Sequence, residues 1–236
     1  MNSFWNELPI GYYDKIISEG LIKNRGIRAN WHNLTFIKVA KLIKKNQYHL
    51  DYACGSGTFI GKYIKTESVG IDIAEPQIEY AKSIYGSDNI FVNLKSFNHS
   101  QLDKKFDVIT VLGLLEFLSE HEILDLIKKL NSMLNKNGRI ILTVPCFSKM
   151  LRIILKFSKL IGLADYSNQH KQDIGLNKIK EMLACFKYEK INIIKIVNIG
   201  VFFSIINLEL GSKIENQIEK KFDNKYGFLY LIEIKK

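Results

Sequence analysis

The chain has few residues of the types that restrict or cross-link a backbone. It holds three prolines and three cysteines in 236 residues. The cysteines, Cys54, Cys146 and Cys185, form no C-x-x-C pair and have no histidine at metal-ligand spacing. Disulfide frameworks use cysteines in pairs, and structural zinc sites need ligands at short fixed spacings. The sequence therefore predicts three small core cysteines, no disulfide framework and no metal site.

Long apolar runs are also absent. No stretch approaches the roughly 20 consecutive apolar residues that a membrane span needs. The first residues, MNSFWNELPIGYYDK, lack the charged-then-apolar order of a signal peptide. We therefore expect a cytoplasmic protein. Hydrophobic residues nevertheless make up 47% of the composition, which is enough for the core of one large domain.

Acidic residues are in the minority. The chain has 24 Asp and Glu against 34 Lys and Arg, which gives a net charge of +10. A positive charge favours anionic partners such as nucleic acid, nucleotide-linked substrates or an acidic membrane face. The lysines are scattered along the whole chain, so the charge alone does not choose among these partners.

What the sequence does contain is an alternation of strands and helices. Five short segments are strand-like: 48–53, 68–73, 90–94, 106–112 and 139–144. Helical patterns lie between them, and Ser119 with Glu122 forms a capping box for a helix predicted to end at Asn137-Gly138. Such an order predicts an α/β fold with a mostly parallel sheet and helices on both faces. Two further β-like runs, 188–199 and 226–236, bring the count to seven strands.

A glycine loop follows the first strand, in the segment LDYACGSGTF at residues 50–59. Glycine allows a backbone to turn tightly or to lie against a ligand. In an open sheet, ligands bind beyond the carboxyl ends of the strands where strand order reverses, and Gly55 and Gly57 fall there. Asp72 ends the next strand, where a carboxylate can accept both hydroxyls of a ribose. Together these residues predict a cofactor that carries a nucleoside.

The spacing of the glycines distinguishes between two such cofactors. A nicotinamide site favours G-x-G-x-x-G, in which the third glycine allows close helix packing. Here Ile60 occupies that third position and Gly61 follows one residue later. This spacing weakens the prediction of a dinucleotide and leaves S-adenosylmethionine, which carries no phosphate, as the alternative cofactor.

With these motifs the chain resembles a class I S-adenosylmethionine-dependent methyltransferase of the small-molecule, Rossmann-like type, over residues 46–145. The stretch 51–57 is similar to the family's acid followed by alternating glycines, with Ala53 in place of the first glycine. The resemblance implies S-adenosyl-L-methionine as cofactor, S-adenosyl-L-homocysteine as product, no metal, and an antiparallel last strand. It also implies the cofactor-binding residues Asp51, Ala53, Gly55, Gly57, Asp72, Ile73, Leu112 and Gly113.

The resemblance gives some of these residues a role. Asp72 is implied as the ribose-binding acid and Ile73 as the neighbour of the adenine. Glu116 matches the acid of a frequent L-E-H triplet, although Phe117 replaces the histidine, and it is a catalytic candidate. Many relatives place an Asp near the adenine after the third strand, where this chain has NLKSFN.

The acceptor is indicated less directly. Nucleobase methyltransferases commonly carry an N-P-P-Y type motif after the fourth strand, and LGLLEF stands there instead, so nucleic acid is disfavoured. Residues 146–163 combine a wide apolar face with a cationic stripe of Lys149, Arg152, Lys156 and Lys159. That pattern suits a lid over a lipid-like substrate or a peripheral membrane contact. A lid helix packed on the core and a dimer contact are the alternatives.

Three further residues are candidates for the acceptor site and one for the base. His170 is nominated as catalytic base or substrate contact, with a solvated loop histidine as the alternative. Tyr166 is its weaker neighbour. Trp31 and His32 are predicted to line the acceptor pocket, against the alternative of ordinary core packing.

The sequence thus leads to a two-part organisation and a leading function. Residues 1–45 are predicted as an N-terminal helical cap and 46–236 as the methyltransferase domain, with a lid insertion around 146–175. The expected function is a methyltransferase (EC 2.1.1.-) that methylates oxygen on a small-molecule, saccharide or lipid-linked intermediate. An RNA or protein methyltransferase and a non-catalytic cofactor-binding partner are the alternatives.

Overall fold

The computed structural model describes residues 2–98, 104–146 and 175–236, and it contains one seven-stranded sheet. The strands are β1 His49–Tyr52, β2 Ser68–Asp72, β3 Ile90–Asn93, β4 Phe106–Leu112, β5 Leu134–Pro145, β6 Lys190–Ile196 and β7 Leu229–Lys235. Their order across the sheet is β3-β2-β1-β4-β5-β7-β6. Strands β1 to β5 pair in parallel, and β7 is antiparallel to both β5 and β6. The predicted fold class is confirmed.

Helices surround this sheet. They are α1 Asn2–Glu7, α2 Tyr12–Ile22, α3 Ile27–Ala40, α4 Thr58–Tyr63, α5 Glu75–Tyr85, α6 Glu120–Met133, α7 Leu176–Ala184 and α8 Leu208–Phe222. Short 3-10 helices cover Leu115–Phe117 and Ile199–Ile205. Three helices therefore precede β1, in the segment predicted as a cap, while the domain boundary near residue 45 stays a prediction. In the part of the chain described, no helix is long and apolar enough to cross a bilayer.

Helix α6 begins as predicted but ends earlier. The Glu122 N–H donates to Ser119 Oγ at 3.4 Å and the Ser119 N–H donates to Glu122 Oε2 at 2.7 Å, which completes the capping box. The helix stops at Met133, and Leu134 opens β5 opposite Phe106. Leu134 is buried in the same core as the helical stripe. An apolar residue at that position fits either backbone, so the pattern alone placed the end of the helix wrongly.

The core lies on both faces of the sheet. On one face Leu50, Ile109 and Ile140 pack against Ile123 and Leu130 of α6. On the other face Val108 and Ile141 pack against Leu34 and Phe59. Burial of each such side chain stabilises the fold by about 1.5–3 kcal/mol. Because helices cover both faces, the carboxyl edge of the parallel strands is the place left for a ligand.

The N-terminal helices are fastened beside that edge. Asp14 of α2 accepts hydrogen bonds from Tyr80 Oη at 2.9 Å and Tyr85 Oη at 2.7 Å, and Lys62 Nζ lies 3.1 Å from its carboxylate. Gln77 Oε1 accepts from the Gly11 N–H at 3.1 Å. Helix α2 is thereby tied to α4 and α5, the two helices that follow the glycine loop and β2.

Candidate cofactor and acceptor site

The loop after β1 is built from left-handed backbone. The φ angles are 68° at Ala53, 52° at Gly55 and 73° at Gly57. The N–H groups of Ala53 and Cys54 both donate to Ile71 O, at 2.8 and 3.0 Å, and this holds the turn on β2. The left-handed region costs an L-residue about 1–2 kcal/mol, which explains why a glycine suits position 53 and what its replacement by alanine costs.

The two glycines of the loop serve different purposes. A Cβ on Gly57 would lie 2.8 Å from both Ala81 Cβ and Phe91 Cε1. A Cβ on Gly55 would meet nothing nearer than Tyr13 Cδ2, at 3.6 Å. Packing of α5 and β3 therefore requires Gly57, whereas Gly55 leaves backbone open beneath the Tyr13 ring.

Asp72 joins the end of β2 to this loop. Its Oδ2 accepts the Gly55 N–H at 2.8 Å, and its Oδ1 accepts the Ala74 N–H at 2.8 Å. Burial raises the pKa of Asp72, while these backbone hydrogen bonds lower it. Each carboxylate oxygen can accept a further hydrogen bond. The half-buried carboxylate is thus fixed in direction and can still accept two hydroxyls.

Ile73 and the end of β3 lie where the adenine is predicted to bind. Ile73 is half-buried, and its carbonyl accepts Asn93 Nδ2 at 3.2 Å. Asn93 Oδ1 accepts the Lys95 N–H at 2.9 Å. Asn93 is therefore hydrogen-bonded to the backbone through both atoms of its side-chain amide.

Asp51 lies beneath the loop in a buried polar chain. Its side chain is 2% exposed, and its Oδ1 accepts Thr110 Oγ1 at 2.6 Å. His49 connects Thr110 to Ser68, with Nε2 at 2.9 Å from Thr110 Oγ1 and Nδ1 at 3.1 Å from Ser68 Oγ. Burial raises the pKa of Asp51 to about 7, the Thr110 hydrogen bond lowers it and Asp72 adds to the rise. Burial lowers the pKa of His49 to about 3, so this histidine is neutral and structural.

The residues at the end of β4 lie on the opposite side of the predicted cofactor site from Asp72. Leu112 is half-buried, and Gly113 has a φ of 67° and donates its N–H to Thr143 Oγ1 at 3.1 Å. Glu116, in the following 3-10 helix, is 6% exposed, and its Oε2 has no hydrogen-bond partner among the described residues. Burial raises the pKa of Glu116 to about 7, and its own backbone N–H lowers it. A buried oxygen without a partner is rare in a folded protein, and Glu116 Oε2 can accept a hydrogen bond from a bound group.

Helices α2 and α3 cover the loop with aromatic and basic side chains. The rings of Tyr13 and His32 meet edge to face with centroids 5.3 Å apart, and Arg28 Nη1 donates to Tyr12 Oη at 2.8 Å. Burial is the main cause of a raised pKa at Tyr13, with Tyr12, Glu116 and Asp72 adding to it and Arg28 lowering it. Burial, then Arg28, lowers the pKa of His32 to about 4, so His32 is neutral at pH 7. Tyr13 thus lies within the fields of two carboxylates and a guanidinium.

The structure brings most of the predicted site residues to one edge of the sheet. His32 lies against the Tyr13 cover, while Trp31 stacks on Phe228 with centroids 6.3 Å apart. His170 and Tyr166 lie outside the described residues, as do the four cations of the predicted stripe, Lys149, Arg152, Lys156 and Lys159.

Sequence reasoning missed Arg28 and Thr110. The signal for Arg28 was its position four residues before His32, which places both on one side of α3. Thr110 lies within a run read only as a buried strand, and its role depends on pairing between β4 and β1.

Comparisons with known proteins agree with this geometry. Residues 50–140 match a family model described as a methyltransferase domain. An uncharacterised protein of Rickettsia prowazekii (strain Madrid E) is 34% identical over 97 residues, which is 38% of this chain and 39% of that protein. The alignment thus spans well under half of the length of that relative.

Solved structures extend the likeness to the whole chain. The magnesium protoporphyrin IX methyltransferase of Synechocystis PCC 6803, solved with bound S-adenosylhomocysteine, has a TM-score of 0.62 at 16% identity and covers 100% of this chain and 97% of its own. A SAM-dependent methyltransferase of Archaeoglobus fulgidus has a TM-score of 0.60 at 22% identity, with 86% and 94% covered. A possible histamine N-methyltransferase of Thermotoga maritima has a TM-score of 0.60 at 12% identity, with 95% and 96% covered. These likenesses show the fold.

Proposed function

We propose, for a chain that carries a class I S-adenosylmethionine-dependent methyltransferase domain, that it transfers a methyl group from S-adenosylmethionine to a small-molecule acceptor (EC 2.1.1.-). The observation that carries the proposal is the Asp72 carboxylate, bonded to the Gly55 and Ala74 N–H groups beside an open glycine loop. A ribose needs such an acceptor pair at the end of β2. The loop backbone beside Gly55 has room for the chain that joins ribose to methionine.

The amino-acid part of the cofactor also finds matching charges. Its carboxylate suits Arg28, which has the Tyr12 phenol but no carboxylate as partner among the described residues. Its ammonium suits the unpaired Oε2 of Glu116, if that carboxylate is not the base that serves the acceptor. Both side chains lie close enough to Tyr13 to change its pKa, in opposite directions. Residues of this chain therefore fit the ribose hydroxyls and the amino-acid end of S-adenosylmethionine.

When bound, the cofactor supplies a methyl group on a positively charged sulfur. The protein's task is then to hold the acceptor in line with that methyl group, because much of the rate of such a reaction comes from proximity. An oxygen acceptor must also give up a proton. Glu116, whose pKa is raised to about 7 by burial, is the described residue suited to accept it, and His170 is the candidate outside the described residues.

The acceptor we propose is a small-molecule, saccharide or lipid-linked intermediate that is methylated at oxygen. Support comes from the aromatic cover made by Tyr13 and His32, which suits a compact acceptor. Peripheral membrane contact through residues 146–163 belongs to the same proposal. Transfer of label from the cofactor to any acceptor in a fractionated metabolite and lipid extract would exclude a non-catalytic role. Transfer to RNA or protein alone would instead support the alternative enzyme class.

Cofactor binding is tested at Asp72. Calorimetry of the purified chain should show S-adenosylhomocysteine binding, and Asp72→Asn should weaken it by about 1–3 kcal/mol, because charge-assisted hydrogen bonds to the ribose are lost. Asp88→Asn, at an exposed aspartate in the turn after α5, is the matched control and should leave affinity unchanged. Tight NAD binding without a response to S-adenosylhomocysteine would contradict the proposal.

The role of Glu116 is tested with Glu116→Gln. If its carboxylate is the base, turnover should fall by roughly 10²–10⁴-fold with cofactor affinity level. The wild-type rate should then rise with pH through about 7, since only the deprotonated carboxylate accepts a proton. If it only binds the ammonium, S-adenosylhomocysteine affinity should fall instead. Glu120→Gln, at an exposed glutamate in the first turn of α6, is the control.

A further inference from the structure

Two loops meet at the carboxyl edge of the sheet, on its β6 side. One is the turn after α2, and the other joins the 3-10 helix at 199–205 to α8. Asn24 O accepts the Leu208 N–H at 3.0 Å, and Ser204 O accepts the Gly26 N–H at 2.6 Å. Asn30 Nδ2 donates to Ser204 Oγ at 2.6 Å in a buried contact beneath them. The two loops are therefore held together as one surface.

That surface carries large apolar side chains in water. Ile22 is 84% exposed, Ile206 is 68% exposed and Ile205 is 63% exposed. We name as the apolar patch the six exposed residues of these loops and their flanking helices: Leu21, Ile22, Phe203, Ile205, Ile206 and Leu210. Single exposed hydrophobic residues are ordinary, whereas several in adjoining segments mark an interaction surface. Ile22 ends α2, Ile205 ends the 3-10 helix and Ile206 follows it, so all three lie where a helix meets a loop, which suits insertion into a soft surface.

The charges around the apolar patch indicate what that surface is. Arg25 and Lys213 flank it, and neither side chain has an ion-pair or hydrogen-bond partner among the described residues. Lys23 is a third cation, and its Nζ lies 3.0 Å from Glu19 Oε2. Glu209 is an acidic residue next to the patch. The whole chain carries +10, so a second copy is repelled while anionic head groups are attracted.

We propose that the apolar patch docks the protein on an anionic lipid surface, with Ile22, Ile205 and Ile206 at the boundary of head groups and acyl chains. Arg25 and Lys213 lie at the level of the lipid phosphates. Pro145 and Ile196 both pair with Leu229, so β5 and β6 end at the same edge of the sheet. The 3-10 helix of the patch follows β6, which puts the patch at the edge that also holds the glycine loop. Docking in this way presents that edge to the bilayer. The benefit for a lipid-linked acceptor rests on the proposed function, whereas the docking itself does not.

Vesicle co-sedimentation of the full chain tests the docking. We expect binding to phosphatidylcholine vesicles that contain phosphatidylglycerol, weaker binding at high salt, and little binding to phosphatidylcholine alone. Ile22→Ser with Ile206→Ser should lower the partition coefficient at least about tenfold, because two inserted side chains are lost. The matched control is Ile84→Ser with Ile90→Ser, two isoleucines that are 53% and 55% exposed near the opposite, β3 edge of the sheet. Arg25→Gln with Lys213→Gln should weaken binding mainly at low salt.

Three outcomes would overturn the proposal. The first is that the wild-type protein does not bind anionic vesicles. The second is that the two isoleucine double variants bind vesicles equally. The third is that light scattering shows a dimer that only the patch variant abolishes. The last would assign the patch to a second copy. Thermal melting and S-adenosylhomocysteine binding check that each variant is folded, and Ile22→Ser alone replaces the double variant if that fails to fold. Failure of wild-type cofactor binding would overturn the proposed function and leave the vesicle result standing.

Discussion

At the scale of single residues, Gly55 and Gly57 differ although they stand two positions apart in one loop. Gly57→Ala adds a Cβ in left-handed backbone and within 2.8 Å of Ala81 and Phe91, so we expect a loss of at least about 2 kcal/mol in the free energy of unfolding. Gly55→Ala has the same backbone cost, but its Cβ would meet no close neighbour, so we expect a loss of about 1 kcal/mol in the free energy of unfolding. Urea unfolding measures both losses.

The same pair of variants should show the opposite order in ligand binding. A methyl group on Gly55 lies in the gap below Tyr13, so Gly55→Ala should weaken S-adenosylhomocysteine binding more than its effect on stability suggests. Equal losses of stability and equal affinities in the two variants would contradict the division of roles between these glycines.

Asp51 makes the stability of the protein depend on pH. Burial raises its pKa from 3.8 to about 7, so the folded state holds a proton that the unfolded state has released between those values. The contribution of this group to stability is therefore full below about pH 4 and is lost as the pH rises to about 7. Asp51→Asn keeps an acceptor for Thr110 but does not titrate.

The measurement is the melting temperature of wild type and Asp51→Asn across about pH 5 to about pH 8. As the pH rises, the melting temperature of Asp51→Asn should increase relative to that of the wild type. Glu116 titrates in the same range but is present in both proteins and cancels in the comparison. A difference that is constant with pH would mean that Asp51 is already ionised at the lower pH.

At the scale of elements, α3 and α8 are joined by a buried ion pair. Lys38 Nζ lies 3.1 Å from Glu215 Oε1 and also contacts Glu219, and Glu215 Oε2 accepts the Asn198 N–H at 2.7 Å. The Glu215 side chain is fully buried. Removal of one partner leaves the other charge buried, which costs more than the pair itself contributes.

We therefore expect Lys38→Met to lower the free energy of unfolding by about 3 kcal/mol. The added change Glu215→Gln should recover much of the loss, since it removes the stranded charge. Lys23→Met, which breaks the exposed Lys23–Glu19 pair, should cost less than about 1 kcal/mol. Denaturant unfolding of the three variants checks this order, and a larger loss from Lys23→Met would refute it.

The sequence predicted elements best where the pattern was local. Strand β4 has the predicted bounds, and the capping box of α6 is present, because the run FDVITVL, with five apolar residues in seven, and the S-x-x-E pair are each complete within one element. The start of β5 was missed because Leu134 is apolar in either a helix or a strand. The end of a helix depends on what the next residues pair with, which is non-local.

The same limit applies to the site. The glycine loop and Asp72 were found from spacing alone, and the structure joins them by one hydrogen bond. The position of α2 depends on hydrogen bonds from Tyr80 and Tyr85 to Asp14, across 66 and 71 residues of sequence. Arg28 is positioned by Tyr12 of the preceding helix, a contact that requires α2 and α3 to be packed together. The roles of the predicted cofactor residues, and of His170, stay predictions.

At the scale of the whole molecule, the two faces of the sheet are covered by packed helices, and the carboxyl edge of its strands is open to a ligand. Both faces are packed, and the N-terminal helices are tied down through Asp14 and Gln77 next to the loop. The proposed methyl transfer and the proposed docking both use this one carboxyl edge. A substitution that weakens the attachment of α2 should therefore lower cofactor affinity more than it lowers the stability of the core.

The position of β7 has a consequence for biosynthesis. This strand follows β6 along the chain, yet it lies between β5 and β6 in the sheet. While the ribosome is still making residues before Leu229, β6 has no strand to join and β5 presents an open edge. Unpaired edges of this kind join other chains readily. The nascent protein is thus exposed to aggregation until β7 has been made, and a chaperone that shields the β5 edge would act in that interval.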